Sequence, residues 1–466
     1  MCFLLKKSEN GGSGRNRRGR KPVFTVLSVF LCCVFWLTGC SGVGDFPEKP
    51  SEAEVSGPED ETAKEEDQEP ENAEAVSDEA SSSENSGGAE GFEIEENQVE
   101  EGSKSLSGDE LERKREEIGL SESDIIGLLE AQSGNYYFEQ LGSTEKVLYA
   151  ECYQILARQA EEILISTTDA EILPRVYQSI INDHPEFFYL NGYTYTQYTR
   201  NEEVQYITFS GRYTYDAGEV ARRQKIIDEE VERRVGGLMG YDEYETVKRV
   251  YEDLILSTDY SMNSPDNQNI CSVFLDKRSV CNGYAKAAQY LLNDLGIPCI
   301  IVNGMTNGDS HAWNIVQIDG AYYHMDATWG DPSYYSSAES EKEGAPNIDY
   351  SYLCVTDAEI RKNHYVDPEF MVPACTSTKD NYFVREGLYL NGYEEGKIQA
   401  IFEEAKAQGR NAVTLKASDA QAYQDIFSNL IENQKIFDYF GTYAADGEYK
   451  IAYSGNEEMG TISFWE

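Results

Sequence analysis

The chain is short of positive charge. Its 466 residues carry 39 Lys and Arg against 84 Asp and Glu, a formal net charge of −45. Nucleic acids and anionic lipid surfaces are bound through basic patches, so this balance argues against both. The folded portion shares the acidity, because the amino-terminal segment is itself basic. No C-x-x-C pair occurs, which argues against a cysteine-rich zinc site, and no metal or cofactor is expected. A phosphate-cradling loop is missing too. Asn303 to Ser310 is rich in Gly, Asn and Asp but lacks the lysine and the helix that would have to follow. Nor is the apolar run Val23 to Trp36 as long as the ~20 residues that cross a bilayer.

That short run has a different meaning. Lys6, Lys7, Arg15, Arg17, Arg18, Arg20 and Lys21 precede it, and Leu37-Thr38-Gly39-Cys40 follows it. The order matches an export signal ending in a bacterial lipobox, with lipid on Cys40. Two or more acyl chains would anchor the chain stably at the cell membrane, facing the extracytoplasmic side. Residues 1–40 are thus read as a lipoprotein signal segment. Residues 41–108 are rich in Glu, Ser, Gly and Ala and nearly free of aromatics. Such a segment cannot bury enough apolar surface to fold and reads as an acidic, disordered tether.

The densest chemistry lies between Val280 and Asp331. Cys281 opens a helical pattern with Tyr284, Ala288, Leu291, Leu292 and Leu295 on one face, stopped by Gly296 and Pro298. A cysteine at a helix N-terminus sits at the positive end of the dipole, which favours thiolate over thiol. Cys299 to Val302 reads as a short strand and Asn303 to Ser310 as a loop. His311 to Ile318 and Ala321 to Thr328 then flank Asp319-Gly320, a two-residue type I′ turn signal. In that register Trp313 faces Asp326 and His311 faces Thr328, so His311 and Asp326 are diagonal neighbours, roughly 7–8 Å apart at the backbone. An aspartate there can hold an imidazole in one tautomer while its other nitrogen addresses a thiol. His324 shares the face and is the rival to His311. It lies nearer the turn, and His311 is preferred. Trp313, Trp329 and Tyr260 are candidate substrate-lining residues, with core packing the competing reading for both tryptophans.

The segments RSVCNGYAKAAQYLLNDLGIPC, HAWNIV and YYHMDATWGDP resemble the three core motifs of the transglutaminase-like superfamily, a papain-like cysteine fold. The resemblance is good from Asp242 to Pro332. It implies Cys281 as nucleophile, His311 as general base and acid, Asp326 as orienting carboxylate, and a Cys helix packed on an antiparallel sheet. In papain-like sites an upstream side chain helps the Cys backbone N–H stabilise the oxyanion. Tyr260, Asn267 and Gln268 are the polar candidates here. Family members include cross-linkers, peptidases, amidases and inactive binding modules, so the reaction stays open.

The expected fold class is α+β throughout: an N-terminal region over 109–241, the core over 242–376 and a small accessory domain over 377–466. In the first, helices are predicted at Ser121–Glu130, Glu145–Ser166, Ile172–Asn182, and Ala217–Gly237, with strands at Pro185–Tyr198 and Val204–Tyr215. Glu243–Leu256 is a helix entering the core. Residues 333–375 read as a loop-rich continuation, in which Asn363-His364 has no identifiable partner. His184 is assigned no role. The accessory domain is predicted as strand Tyr382–Tyr389, helix Glu394–Gln408, strand Ala412–Ala417, helix Ser418–Glu432 and two late strands. After the segment that ends at Cys40, the cysteines 152, 271, 281, 299, 354 and 375 are enough for three disulfides, but a nucleophilic Cys281 leaves at least one thiol free. The expected activity is thiol acyl transfer on a peptide or protein substrate, such as a cell-wall peptide. The alternative is an idle module that binds peptide or wall polymer through the same cleft.

Overall fold

The structure is a computed structural model that describes residues 2–8, 93–100, 107–332, 344–440, 442–443 and 448–466. Cys40 and most of the segment read as a tether lie outside the described residues. Mixed helices and sheets give an α+β fold. No helix among the described residues is long and apolar enough to cross a membrane.

The centre is a five-stranded antiparallel sheet. Its order is Leu353–Val355, Ala321–Met325, Asp309–Ile318, Cys299–Thr306, His364–Val366. Asp319 and Gly320 take φ of 49° and 81°, the paired positive values of a type I′ turn. Register follows from that turn: Ile318 pairs with Ala321, Ile315 with His324 and Asn314 with Met325. The helix Cys281–Asp294 covers one sheet face, where the Asn314 side chain donates to the Ala285 carbonyl at 2.9 Å. Gly296, at φ 75°, ends that helix. The opposite face buries Val302, Trp313 and Ile315 against Cys375.

The region expected to be a loop, residues 303–310, is instead a second hairpin. The strand from Cys299 runs on to Thr306, and Asn307-Gly308 turns with φ of 52° and 90°. The loop-rich segment after the core contributes both edge strands of the sheet, and His364 lies on one of them.

Ahead of the core, helices Gly108–Glu117, Glu122–Gln132, Ser143–Ala157 and Leu173–Asp183 pack on a sheet ordered Glu93–Glu100, Leu190–Arg200, Glu203–Tyr213, Ile163–Ile165. Three expectations change here. The long helix predicted to Ser166 stops at Ala157, because Gln159 and Glu162 adopt φ of 50° and 53°, and Ile163–Ile165 becomes a strand. The strand predicted from Pro185 starts at Leu190, after a turn. Glu93–Glu100, inside the stretch read as a tether, pairs in parallel with Leu190–Arg200. One apolar cluster runs from Leu148 and Tyr193 through Val247 and Tyr251 to Leu292 and Val316, so this region and the core share an interior.

The accessory region has its own apolar core, with Leu390, Phe402, Leu415, Ile451 and Phe464. Its sheet includes Ala412–Ala417, Thr461–Trp465 and Glu448–Asn456, and Cys2–Ser8 pairs along the last of these. That edge strand falls within the segment read as a leader. The strand predicted over Tyr382–Tyr389 is a short helix, Tyr382–Arg385. The Asn381 side chain caps it by accepting from the Phe383 N–H, and Tyr382 stacks on Tyr350 at 3.8 Å, so capping and packing outweigh aromatic β-propensity.

Candidate active site

Cys281 is the first residue of its helix, entered from an extended Val280. Two contacts explain why the sequence around it reads C-N-G-Y. A Cβ on residue 283 would collide with the hydroxyls of Ser279 and Ser272, so only glycine lets the helix start sit there. The Tyr284 hydroxyl donates to the Thr258 carbonyl at 2.6 Å and to Asp331 Oδ2 at 3.0 Å. That clamp ties the cysteine helix to the turn that follows Asp326. Cys281 is 7% exposed.

His311 and Asp326 come together on the expected side of the hairpin, but the second strand stops at Met325 and not at Thr328, so Asp326 opens the following turn and is not in a strand pair with Trp313. His311 Nε2 lies 2.7 Å from Asp326 Oδ2, and the Cys281 thiol bonds the same ring. With Nε2 occupied by the carboxylate, Nδ1 is the nitrogen left for sulfur. Asp326 is 1% exposed and held on every side. Its Oδ1 accepts the backbone N–H groups of Thr328 at 2.9 Å and Trp329 at 3.0 Å. Its own N–H donates to the Tyr352 carbonyl at 3.0 Å. Gly330 completes this turn, since a side chain there would strike the Tyr251 hydroxyl.

The electrostatics follow from burial and partners. Burial alone would strip the proton from His311, but Asp326, and then Cys281, outweigh it and raise the ring to about 10. Burial likewise opposes charge on Asp326, yet His311 and His364 hold the carboxyl well below the usual carboxylate range. The chain is therefore arranged as imidazolium and carboxylate at neutral pH.

His364, which had no partner in the sequence reading, completes the group. Its Nε2 lies 2.9 Å from the same Asp326 oxygen that serves His311, and the two histidine rings stand edge to face with centroids 5.4 Å apart. Two signals pointed to it. The chain has only four histidines, three of them between residues 311 and 364, and His-Tyr-Val alternates as a short strand does.

His324, the rival, is fully buried on the same hairpin, nearer the turn. The Trp313 indole donates to its Nδ1 at 3.0 Å, and its Nε2 faces Asp357 Oδ1 at 3.0 Å. Burial lowers its pKa to about 4, so it is neutral. Trp313 is therefore a core residue bonded to His324. Trp329 is buried and packs on His364 and Tyr352. Tyr260 is half-buried in the lead-in to Cys281, its hydroxyl 3.6 Å from the Met262 sulfur. Asn267 spends its amide on the Met262 carbonyl at 2.9 Å. Gln268 bonds the residue after Cys281, its Oε1 accepting from Asn282 at 2.8 Å, which leaves its NH2 end as a donor.

Two groups of side chains have the composition of metal ligands, His311–Asp326–His364 and His324–Asp357–Cys375. In the first, nitrogen and oxygen stand at hydrogen-bond spacing, 2.7 and 2.9 Å, whereas ligands about 2.0–2.1 Å from a tetrahedral ion lie roughly 3.3 Å apart. In the second, the indole N–H occupies Nδ1, so the proton of neutral His324 must be on Nε2, and no lone pair faces the cluster. Both groups are hydrogen-bond networks. All six described cysteines named above are buried and free, with no disulfide among them. Burial pushes the thiols of Cys271 and Cys375 up to about 12, and raises those of Cys152, Cys299 and Cys354 further.

Residues 235–327 match the model of the transglutaminase-like superfamily, a span that contains Cys281, His311 and Asp326. No curated protein sequence matches at a significant level. Solved structures with partial likeness include a TGase, at 15% identity over 34% of this chain and 56% of that one, with a TM-score of 0.23. They also include the periplasmic domain of TgpA from Pseudomonas aeruginosa, at 18% identity over 28% and 57%, with a TM-score of 0.18. A third is menin, which has a binding site for the Mixed Lineage Leukemia protein, at 14% identity over 42% and 43%, with a TM-score of 0.21. The chain spans about half the length of each.

Proposed function

Starting from a chain that carries a transglutaminase-like superfamily domain, we propose that it is a thiol acyl-transfer enzyme acting on peptide or carboxamide bonds. The observation that carries this is the bonded series of Cys281 thiol, His311 ring and Asp326 carboxylate at a helix N-terminus. The Cys281 proton rests on His311 Nδ1 as an imidazolium, and the thiolate attacks the carbonyl carbon. The oxyanion sits against the free N–H groups of the first helical turn and the Gln268 amide. His311 then protonates the departing amine or ammonia, and the C–N bond breaks to leave a thioester on Cys281. Water regenerates the enzyme by hydrolysis, and an amine does so by cross-linking. Hydrolysis of wall peptides or environmental proteins is the reading preferred here. Asp326 remains an anion throughout and steadies the imidazolium. Location at the membrane through lipid on Cys40 is part of the same proposal and rests on the sequence.

The test is iodoacetamide alkylation of the whole chain across pH, read by mass spectrometry. Selective labelling of Cys281 at or below neutral pH, ahead of the five other buried cysteines, supports the proposal. A Cys281 that labels slowly, with an ordinary thiol pH profile, overturns it and favours a module that only binds peptide or wall polymer.

A further inference from the structure

Asp326 Oδ2 is shared by two histidines, and one of them has no part in the acyl-transfer scheme. His364 is completely buried, on the edge strand His364–Val366. Its ring packs edge-on to Trp313 at 5.0 Å and against Trp329 at 4.9 Å, so no water reaches it from those sides. Its Nδ1 lies 2.6 Å from Asn363 Oδ1, and Asn363 Nδ2 lies 3.2 Å from the Tyr352 hydroxyl. Tyr352 in turn accepts the Asp326 backbone N–H through its carbonyl. Four hydrogen bonds thus close a ring: Asp326, Tyr352, Asn363, His364 and back to Asp326.

We propose that His364 is a positioning residue for the Cys281–His311–Asp326 site, a neutral imidazole whose Nε2–H donates to Asp326 Oδ2. The inference rests on the acyl-transfer reading above. A neutral imidazole has one N–H to place. A carboxylate oxygen can only accept, so a proton on Nδ1 would leave the Nε2 lone pair facing that oxygen in a dry site. The proton therefore belongs on Nε2. This tautomer requires the Asn363 amide to be turned end for end from the arrangement above, so that its NH2 faces His364 Nδ1 and its oxygen accepts the Tyr352 O–H. Every donor in the ring has an acceptor, and the series runs one way, from Tyr352 to Asn363 to His364 to Asp326.

Two consequences follow. Each Asp326 oxygen is fixed, Oδ1 by two backbone N–H groups and Oδ2 by two rings, so the carboxylate cannot rotate away from His311. Sharing Oδ2 also weakens its hold on His311. The imidazolium can then release its proton to a leaving amine. The titratable groups facing His364 are Asp326, His311, Tyr352 and Glu458. Burial lowers the His364 pKa against the pull of Asp326, and the charge on His311 adds to the lowering.

The test compares His364→Leu, which removes the donor, with His364→Gln, whose side-chain amide can replace Nε2–H. His364→Leu should label Cys281 about tenfold more slowly at pH 7, because the triad is less well aligned. It should also raise the His311 titration, followed by NMR, by about half to one pH unit. His364→Gln should restore the labelling rate to within about threefold and the titration to its original place. A purely space-filling role predicts equal damage in both variants and an unmoved titration, and that result overturns the proposal. So does wild-type behaviour of both. If His364→Leu does not fold, ring-nitrogen NMR of the wild-type chain decides. A protonated Nε2 with bare Nδ1 supports the inference, and a protonated Nδ1 ends it. An unactivated Cys281 in the wild-type chain would instead remove the acyl-transfer reading while leaving the tautomer result standing.

Discussion

Two histidines of one hairpin, His311 and His324, each face an aspartate, and the two pairs do opposite things. His311 with Asp326 and His324 with Asp357 are each buried imidazoles within about 3 Å of a carboxylate oxygen. Yet one ring is raised to about 10 and the other lowered to about 4. The carboxylates differ in burial, 1% exposed for Asp326 and 19% for Asp357, so water screens the second pair more. The far nitrogens differ more. His311 presents Nδ1 to a thiol, a group that can give up a proton. His324 presents Nδ1 to the Trp313 indole, which only donates and so blocks a second proton. Nearness to a carboxylate does not make a histidine a base. What stands at the other nitrogen decides.

The pH dependence of stability should show both signs. The folded chain keeps the His311 proton to about 10, whereas the unfolded chain releases it near 6.5. That stabilisation is complete below pH 6.5 and lost as pH rises towards 10. For His324 the unfolded chain takes up a proton near 6.5, which the folded chain resists to about 4. Its stabilisation is present above pH 6.5 and lost as pH falls to 4.

The largest effect breaks the first pair at its base. An ordinary thiol near 8.5 is well under 1% thiolate at pH 6, so His311→Ala should slow Cys281 alkylation there by about 10²–10³-fold. Asp326→Asn should follow, at about 10–10²-fold, because the His311 ring loses the charge that keeps it protonated. It should also remove the alkaline fall in thermal stability. Unchanged alkylation in His311→Ala, measured by mass spectrometry, would mean that the first pair is no more a catalytic dyad than the second.

The pairing of His311 with Asp326 was legible because a type I′ turn and a period of two fix which residues share a face. The Cys281 helix was legible from its apolar stripe and its stop. Less visible was the second hairpin, although the sequence offers two Asn-Gly pairs, Asn303-Gly304 and Asn307-Gly308. The chain turns at the second. Gly304 stays in the strand, where any Cβ would meet the Trp313 ring and the Tyr365 carbonyl. That is a tertiary demand no local pattern records. The same holds for His364, whose partner lies 38 residues back, and for Trp313, whose indole decides the state of His324. Residues that set a proton's position act through contacts that close only when distant strands meet.

Trp313→Phe tests that account directly. It keeps a ring beside His311 while removing the indole donor and part of the buried ring beside Gly304, so His324 Nδ1 becomes free to take a proton. The His324 pKa should climb from about 4 towards 6.5, flattening the acid limb of the stability curve. Leaving a buried acceptor unpaired should cost about 1–3 kcal/mol at neutral pH by chemical denaturation. Cys281 alkylation should stay within about twofold of wild type, since this donor serves only the second pair. A His324 titration that does not move would show that burial alone keeps it neutral.

The smallest effect is the sharpest contrast, because it repeats a substitution already made. Asp357→Asn is the same chemical change as Asp326→Asn, applied to the second pair. A neutral His324 needs only an acceptor for its Nε2–H, and the Asn oxygen supplies one. The charge lost here was holding no imidazolium in place. The remaining loss is Oδ2, which accepts the Cys375 N–H at 3.2 Å, and a long ion pair to the exposed Arg361 at 3.8 Å. Together these should cost about 1 kcal/mol in denaturant unfolding, with no change in Cys281 labelling or in the alkaline limb. If Asp357→Asn instead slows labelling as much as Asp326→Asn does, the two pairs form one coupled network. The division between a working histidine and a structural one would then have to be drawn elsewhere.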